Sequence, residues 1–247
     1  MDRLIYTSLT AMRGAMARQT AIANNLANAN TPGFRADLAE AQSLWLDGQK
    51  LDTRVYASEE VQAADMTAGT VTGTGRDLDI ALSGDAMLAV QAENGEIGYT
   101  RRGDLMLSAS GLLTTGDGRP VQASQGPLTL PPSDSVNIDE QGRVWIVPLG
   151  GDPTQPQEID RLQLVSPAGS DIVKGVDGLF RVRDGGTLPA DPDARLITRS
   201  LESSNVSATQ ALVEMIEASR SWDTQLKMLD DARDMDSAST DLMSLSQ

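Results

Sequence analysis

The sequence predicts an α+β chain: paired long N- and C-terminal α-helices, coiled-coil-like, with an inserted antiparallel, mostly-β domain between them. Three observations carry this. Apolar residues near each end recur in alternating steps of three and four. The middle is dense in Gly and Pro and breaks into short alternating segments. Turn dipeptides punctuate that middle ahead of apolar residues. The first pattern belongs to a helix, the other two to hairpins.

The N-terminal element comes first. Ile5, Leu9, Met12, Met16, Gln19, Ala23 and Leu26 follow the spacing of a coiled-coil seam, with Gln19 the one polar member. An amphipathic helix lying on a globular core has the same periodicity, so spacing alone leaves both readings open. Thr31-Pro32-Gly33 ends the helix, because the residue before Pro avoids helical geometry and Gly permits the turn. Thr7, Ser8, Thr10, Arg13, Arg18 and Gln19 interrupt the apolar run that a cleaved signal peptide needs. Residues 1–45 are therefore expected to stay on the chain as a helical segment.

Residues 46–75 are acidic, rich in Thr and Ala and weakly periodic, and are expected to form a linker or extended arm. Residues 76–199 form the expected β domain. Candidate strands are Asp79–Leu82, Met87–Ala92, Gly98–Arg101, Leu105–Ser108, Leu112–Thr114, Val136–Ile138, Val144–Val147, Arg161–Val165 and Leu179–Arg183. Asn94-Gly95, Ser110-Gly111, Asp117-Gly118, Gln141-Gly142 and Asp177-Gly178 supply the positive φ of tight turns.

Residues 200–247 form the second helical segment. Leu212, Met215, Ser219, Trp222, Leu226 and Leu229 repeat the seam spacing, and no Gly or Pro follows Asp193. Ser203, Ser204 or Asn205 is expected to cap the start, with Glu202 near the positive end of the helix dipole. Residues 1–45 carry four basic and three acidic side chains, net +1, whereas residues 201–247 carry three and nine, net −6. Opposite signs favour pairing, although exposed pairs contribute only about 0–1 kcal/mol each.

Composition removes many chemistries. The chain has no Cys and no His, so disulfides, thiolate nucleophiles and imidazole catalysis are excluded. A formal charge of −15 opposes phosphate backbones and anionic lipid, so no nucleic-acid partner is expected. No apolar run is long enough to insert into a membrane. Gly73-Thr74-Gly75-Arg76-Asp77-Leu78 begins like a dinucleotide fingerprint but has Leu at its sixth position and no strand-then-helix setting. Val136-Asn137-Ile138-Asp139-Glu140-Gln141-Gly142 resembles a calcium loop without its distal Glu, and a hairpin tip accounts for it. A carboxylate pair acting as a peptidoglycan hydrolase is the rival from another class. No acidic pair is singled out for it, and an aromatic content of 3% leaves few sugar platforms. No catalytic residue, cofactor or metal is expected.

The stretch Ile22-Ala23-Asn24-Asn25-Leu26-Ala27-Asn28-Ala29-Asn30-Thr31-Pro32-Gly33-Phe34 closely resembles the signature of the flagellar basal-body rod and hook proteins. Leu201-Glu202-Ser203-Ser204-Asn205-Val206, followed by Met215-Ile216 and Arg220, resembles their C-terminal motif. Leu78–Leu82, Tyr99-Thr100-Arg101-Arg102-Gly103 and Gly111-Leu112-Leu113 are similar to family strands. Gly84-Asp85-Ala86-Met87-Leu88 departs from the pattern, in which aromatics follow the Gly. The opening residues 1–7 and the run 31–36 are most similar to proximal-rod members; a distal-rod or hook-type axial protein is the alternative. The resemblance implies a structural protein whose terminal helices (domain D0) line the centre of a helical array, with the β domain (D1) outside. It also implies a periplasmic rod that transmits torque, export through the flagellar type III apparatus, and partners that include further copies and other rod subunits. The seam residues Ile5, Leu9, Met12, Met16, Leu26, Leu212, Met215, Trp222, Leu226 and Leu229 are the expected subunit interface. Asn24, Asn25, Leu26, Asn28, Asn30, Gly33, Phe34, Glu202, Asn205 and Val206 carry the motifs. The four Asn amides either bridge neighbouring subunits or finish their own helix.

Overall fold

The computed structural model describes residues 2–45 and 55–244, with side chains described for 12–38, 63–228, 230, 231 and 234. The chain is α+β and divides into two compact units, Met1–Ala27 with Asp37–Asp65 and Val206–Gln247, and Asn28–Ala36 with Met66–Asn205.

The first unit holds both helices. Helix α1 (Asp2–Ala27) lies against a hairpin of β1 (Asp37–Trp45) and β2 (Val55–Ala64). The strands run antiparallel from Asp37 opposite Ala64 to Trp45 opposite Val55, with an irregularity after Leu38. The arm expected over 46–75 thus contributes a strand, and its partner lies in the segment grouped with the N-terminal helix. Local alternation is weak in this Ala-rich stretch, so long-range pairing decides its conformation. The part of the arm at 46–54 lies outside the described residues. Helix α2 (Ala208–Ser244) starts later than expected. Residues 200–202 are a strand, which moves the cap to Ser207: its carbonyl accepts from Ala211 N at 2.9 Å and its hydroxyl from Gln210 N at 3.4 Å. No described helix is long and apolar enough to cross a membrane.

The second unit is antiparallel β. Its largest sheet has five strands in the order Leu164–Val165, Met87–Gln91, Ile97–Thr100, Phe180–Val182, Ile172–Lys174. Met87, Leu88, Ala89 and Val90 are fully buried on both faces, which explains an unbroken apolar run where the family pattern has aromatics. A three-stranded sheet of Ser133–Ile138, Arg143–Pro148 and Gln157–Arg161 packs into the same core through Ile138, Val144 and Ile146. Burying each such aliphatic side chain stabilises the fold by about 1.5–3 kcal/mol. The glycines of all five turn dipeptides have positive φ. Two short ladders close the unit, Val71–Gly73 with Ser200–Glu202 and Ile80–Leu82 with Leu196–Thr198. The stretch with calcium-loop character is a hairpin tip. The Asp139 carboxylate accepts from the backbone of Gln141 and Arg143 and from the Arg143 and Trp145 side chains.

Candidate functional site

Within the β unit, the Thr-Pro-Gly-Phe motif and the Leu-Glu-Ser-Ser-Asn motif lie side by side. Gly33 N donates to Glu202 O at 2.8 Å, Asn205 N to Phe34 O at 3.3 Å, and Ala36 N to Asn205 Oδ1 at 2.8 Å. The Asn205 amide donates onward to the Thr67 carbonyl and hydroxyl at 3.2 and 3.3 Å. Ser203 exchanges bonds with Thr70, backbone N to carbonyl at 2.9 Å and Thr70 N to the Ser203 hydroxyl at 3.1 Å. Backbone approaches this close leave no room for a side chain at Gly33. Its φ is +66°, and a Cβ there would sit 2.3 Å from the Arg101 carbonyl oxygen.

Beneath these strands lies a buried ionic triad. The Glu202 carboxylate accepts from Arg35 Nη2 at 2.6 Å through Oε1, and from Arg101 Nε at 2.9 Å and Nη2 at 2.8 Å through Oε2. Gly69 N adds a fourth donor at 2.9 Å. All three charged side chains are at most 2% exposed. Arg101 also reaches the carbonyls of Leu82, Gly84 and Ala86, so its whole guanidinium is satisfied. Arg35 is less well served: its Nε and Nη1 are buried without a hydrogen-bond partner. Burial pushes the Glu202 carboxyl up, but the hydrogen bond from Arg35 and the charge and bonds of Arg101 outweigh it and hold it below the ordinary glutamate range. Burial likewise lowers the Arg101 guanidinium from its usual value against the pull of Glu202. Lys174 seals the edge, with its Nζ 3.7 Å above the Phe34 ring and donating to Arg35 O at 2.7 Å.

A saturated, solvent-excluded carboxylate has no means of meeting a substrate. What this arrangement does is mechanical: it clamps the segment entering the β unit, at 33–36, to the segment leaving it, at 200–205.

Three family models match, in chain order. They are "Flagella basal body rod protein" over 5–35, "Flagellar hook protein FlgE/F/G D1 domain" over 81–146, and "Flagellar basal body rod FlgEFG protein C-terminal" over 198–242. Flagellar basal-body rod protein FlgF of Salmonella typhimurium and that of Escherichia coli are each 36% identical over the full length of both chains. The chain belongs to the flagellar basal-body rod protein family. A further relative, flagellar basal-body rod protein FlgG of Caulobacter vibrioides, is 30% identical over 95% of this chain and 98% of its own. As a rod protein, the chain is structural and not an enzyme. Each member of the triad falls in a different matched segment: Arg35 in the first, Arg101 in the second and Glu202 in the third.

The motif residues take different places. Gly33, Phe34, Glu202 and Asn205 all meet in the clamp. Glu202, expected beside the helix dipole, is instead the buried anion, because the chain is a strand where it sits. Asn25 turns both amide atoms onto the backbone of β1, accepting from Asp37 N at 2.7 Å and donating to Asp37 O at 3.0 Å. Asn24 donates to the Asp37 carboxylate. Asn28 accepts from the Thr31 hydroxyl at 3.1 Å and finishes its own turn. Asn30 is exposed and Val206 half-buried.

The expected seam residues divide as well. Met12, Leu26, Met215 and Trp222 are half-buried, while Met16, Leu212 and Leu226 are 57%, 49% and 39% exposed. Ile5, Leu9 and Leu229 lie outside the described side chains. Among the described side chains, the buried positions of the helices are the small or neighbouring ones, Gly14, Ala21 and Ile22 on α1 and Ala211 on α2. Arg35 and Arg101 were not singled out by the sequence. Their signal was their adjacency to the motifs, Arg35 directly after Gly33-Phe34 and Arg101 within Tyr99–Gly103.

Proposed function

We propose that the chain is a subunit of the proximal part of the flagellar rod and polymerises through its two terminal helices, paired in coiled-coil fashion. One observation carries this. Along α2 the apolar side chains Leu212, Val213, Ile216 and Met228 are about half exposed or more, whereas Ala211 is buried and Met215, Ala218 and Trp222 are half-buried. A helix that leaves several large aliphatic side chains outward is incomplete on its own, and an apolar face of this kind is covered by another molecule. Contacts of one face with a different face of the next copy generate a helical filament. The clamp suits the same task. It fixes where both helical segments leave the β unit, so that torque reaching either segment is passed to a rigid body.

Partners on this reading are further copies and the neighbouring rod subunits. The chain reaches the periplasm through the flagellar export apparatus and keeps its N-terminal helix, consistent with the polar interruptions at Thr7, Ser8 and Thr10. The 36% identity over full length to proteins named FlgF favours the proximal position.

The test is Ile216→Asp, at a position 54% exposed. The variant is expected to leave the thermal midpoint of the β unit unchanged and to be missing from purified basal bodies. Normal basal bodies and swimming in cells carrying it would defeat the reading.

A further inference from the structure

We propose that the Arg35–Glu202–Arg101 triad makes closure of the β unit conditional on its C-terminal strand, so that the unit locks only when residues 196–205 have arrived. The inference stands on the clamp itself and is independent of what the helices assemble with.

The charge count gives the reason. Two guanidinium groups are drawn into the interior, and the one carboxylate in contact with both is Glu202. Before Glu202 arrives, Arg35 and Arg101 are like charges whose nearest acid is the exposed Asp85, which acts on Arg101 from a distance and is not in the buried pair, and burying both cations so is prohibitive. Arg101 retains its carbonyl partners, which supply hydrogen bonds but no charge. Arg35 has less support: Glu202 is the partner of its Nη2, and its other two nitrogens have none. The segment at 33–36 therefore has to keep Arg35 in water until the anion is in place.

The backbone points the same way. Gly33 N, Gly69 N and Thr70 N each donate to Glu202 or Ser203. The strands Val71–Gly73 and Ile80–Leu82 have their ladder partners in 196–202. Those partners lie more than 100 residues away, and loops of that length are slow to close. The hairpin Ser133–Ile138 with Arg143–Pro148 closes through a four-residue turn, so its own strand pairing is local. A chain emerging N-terminus first thus forms its local hairpins early and remains open at the clamp until residue 202 is available.

Pulsed hydrogen exchange during refolding of the full-length chain from urea, read by mass spectrometry, tests this. Amides of 33–36, 71–73 and 80–82 are expected to gain protection in the same late phase as 200–205, after the 133–148 hairpin. Glu202→Gln is expected to slow that phase by about tenfold or more and to leave the hairpin phase unchanged. The proposal is overturned if 71–82 is protected well before 200–205, or if Glu202→Gln alters unfolding alone. Should Glu202→Gln fail to close at all, the double variant Arg35→Met with Glu202→Gln decides. Recovery of the late phase on removing one of the two cations supports the charge argument, and absence of recovery overturns it.

Discussion

Glu202 shows how much depends on one side chain whose sequence setting suggests another role. Glutamate just ahead of a long helix reads as a partner for the helix dipole, and arginine is rarely buried, so neither half of the ion pair was legible as interior. Removing one partner of a buried pair leaves an uncompensated charge, and Glu202→Gln is expected to cost about 3–5 kcal/mol. Chemical denaturation measures that directly. The pH dependence has a definite sign. The folded-state value of Glu202 lies below its ordinary value of 4.5. Its contribution is therefore fully present above pH 4.5 and is lost as pH falls through the folded value. Asp139 and Asp177 are also depressed: burial opposes the bonds from Arg143 and Trp145 at the first, and the Arg181 hydrogen bond leads at the second. The wild-type denaturation midpoint should fall on acidification below pH 4.5, and Glu202→Gln should keep only the shallower part due to the aspartates. An unchanged slope in the variant would place the acid sensitivity elsewhere.

Elements were legible where local rules suffice and obscure where pairing is distant. The β core was readable because each hairpin announces itself by an apolar run and a turn, as at Leu105–Leu107, Ser110-Gly111 and Leu113–Thr115. The strands Val71–Gly73 and Ser200–Glu202 were not, since three residues without alternation carry no period. The helices were readable as helices, but the spacing did not say which of two series turns inward. On an Ala-rich helix, Ala211, Met215, Ala218 and Trp222 fit the three-and-four spacing as well as Leu212, Met215, Ser219 and Trp222 do. The first series turns inward in the chain, and the second has larger, more exposed members. Asn25 marks the junction of two elements, since its amide extends the hydrogen bonding of β1 onto the end of α1. Asn25→Ala strands Asp37 N–H and O together, and about 1–3 kcal/mol of local stability should be lost. Faster amide exchange across Asp37–Trp45, with Met87–Gln91 unaffected, is the expected result; equal effects on both would mean the contact is not local.

At the scale of the whole molecule the two units are stabilised by different means, and this yields the last prediction. The β unit encloses a core of fully buried aliphatic side chains and is closed by the triad, so its central strand should open only with the unit itself. Among the described side chains of helix α2 only Ala211 is buried, and Leu212, Val213, Ile216, Leu226 and Met228 present much apolar surface to water. A helical segment, 208–228, with so few buried side chains is close to the marginal stability of an isolated one. In dilute solution the amides of 208–228 should therefore exchange by local opening, many times faster than those of Met87–Gln91. Covering the outward face changes that balance by mass action, because whatever binds the folded helix and not the open one stabilises it in proportion to occupancy. On the proposed assembly through this face, raising the protein concentration should slow exchange across 208–228 and leave Met87–Gln91 as it was. If the helix is already as protected as the β core in the dilute monomer, its exposed aliphatic face is not what drives assembly, and the outward residues of α2 lose their proposed role.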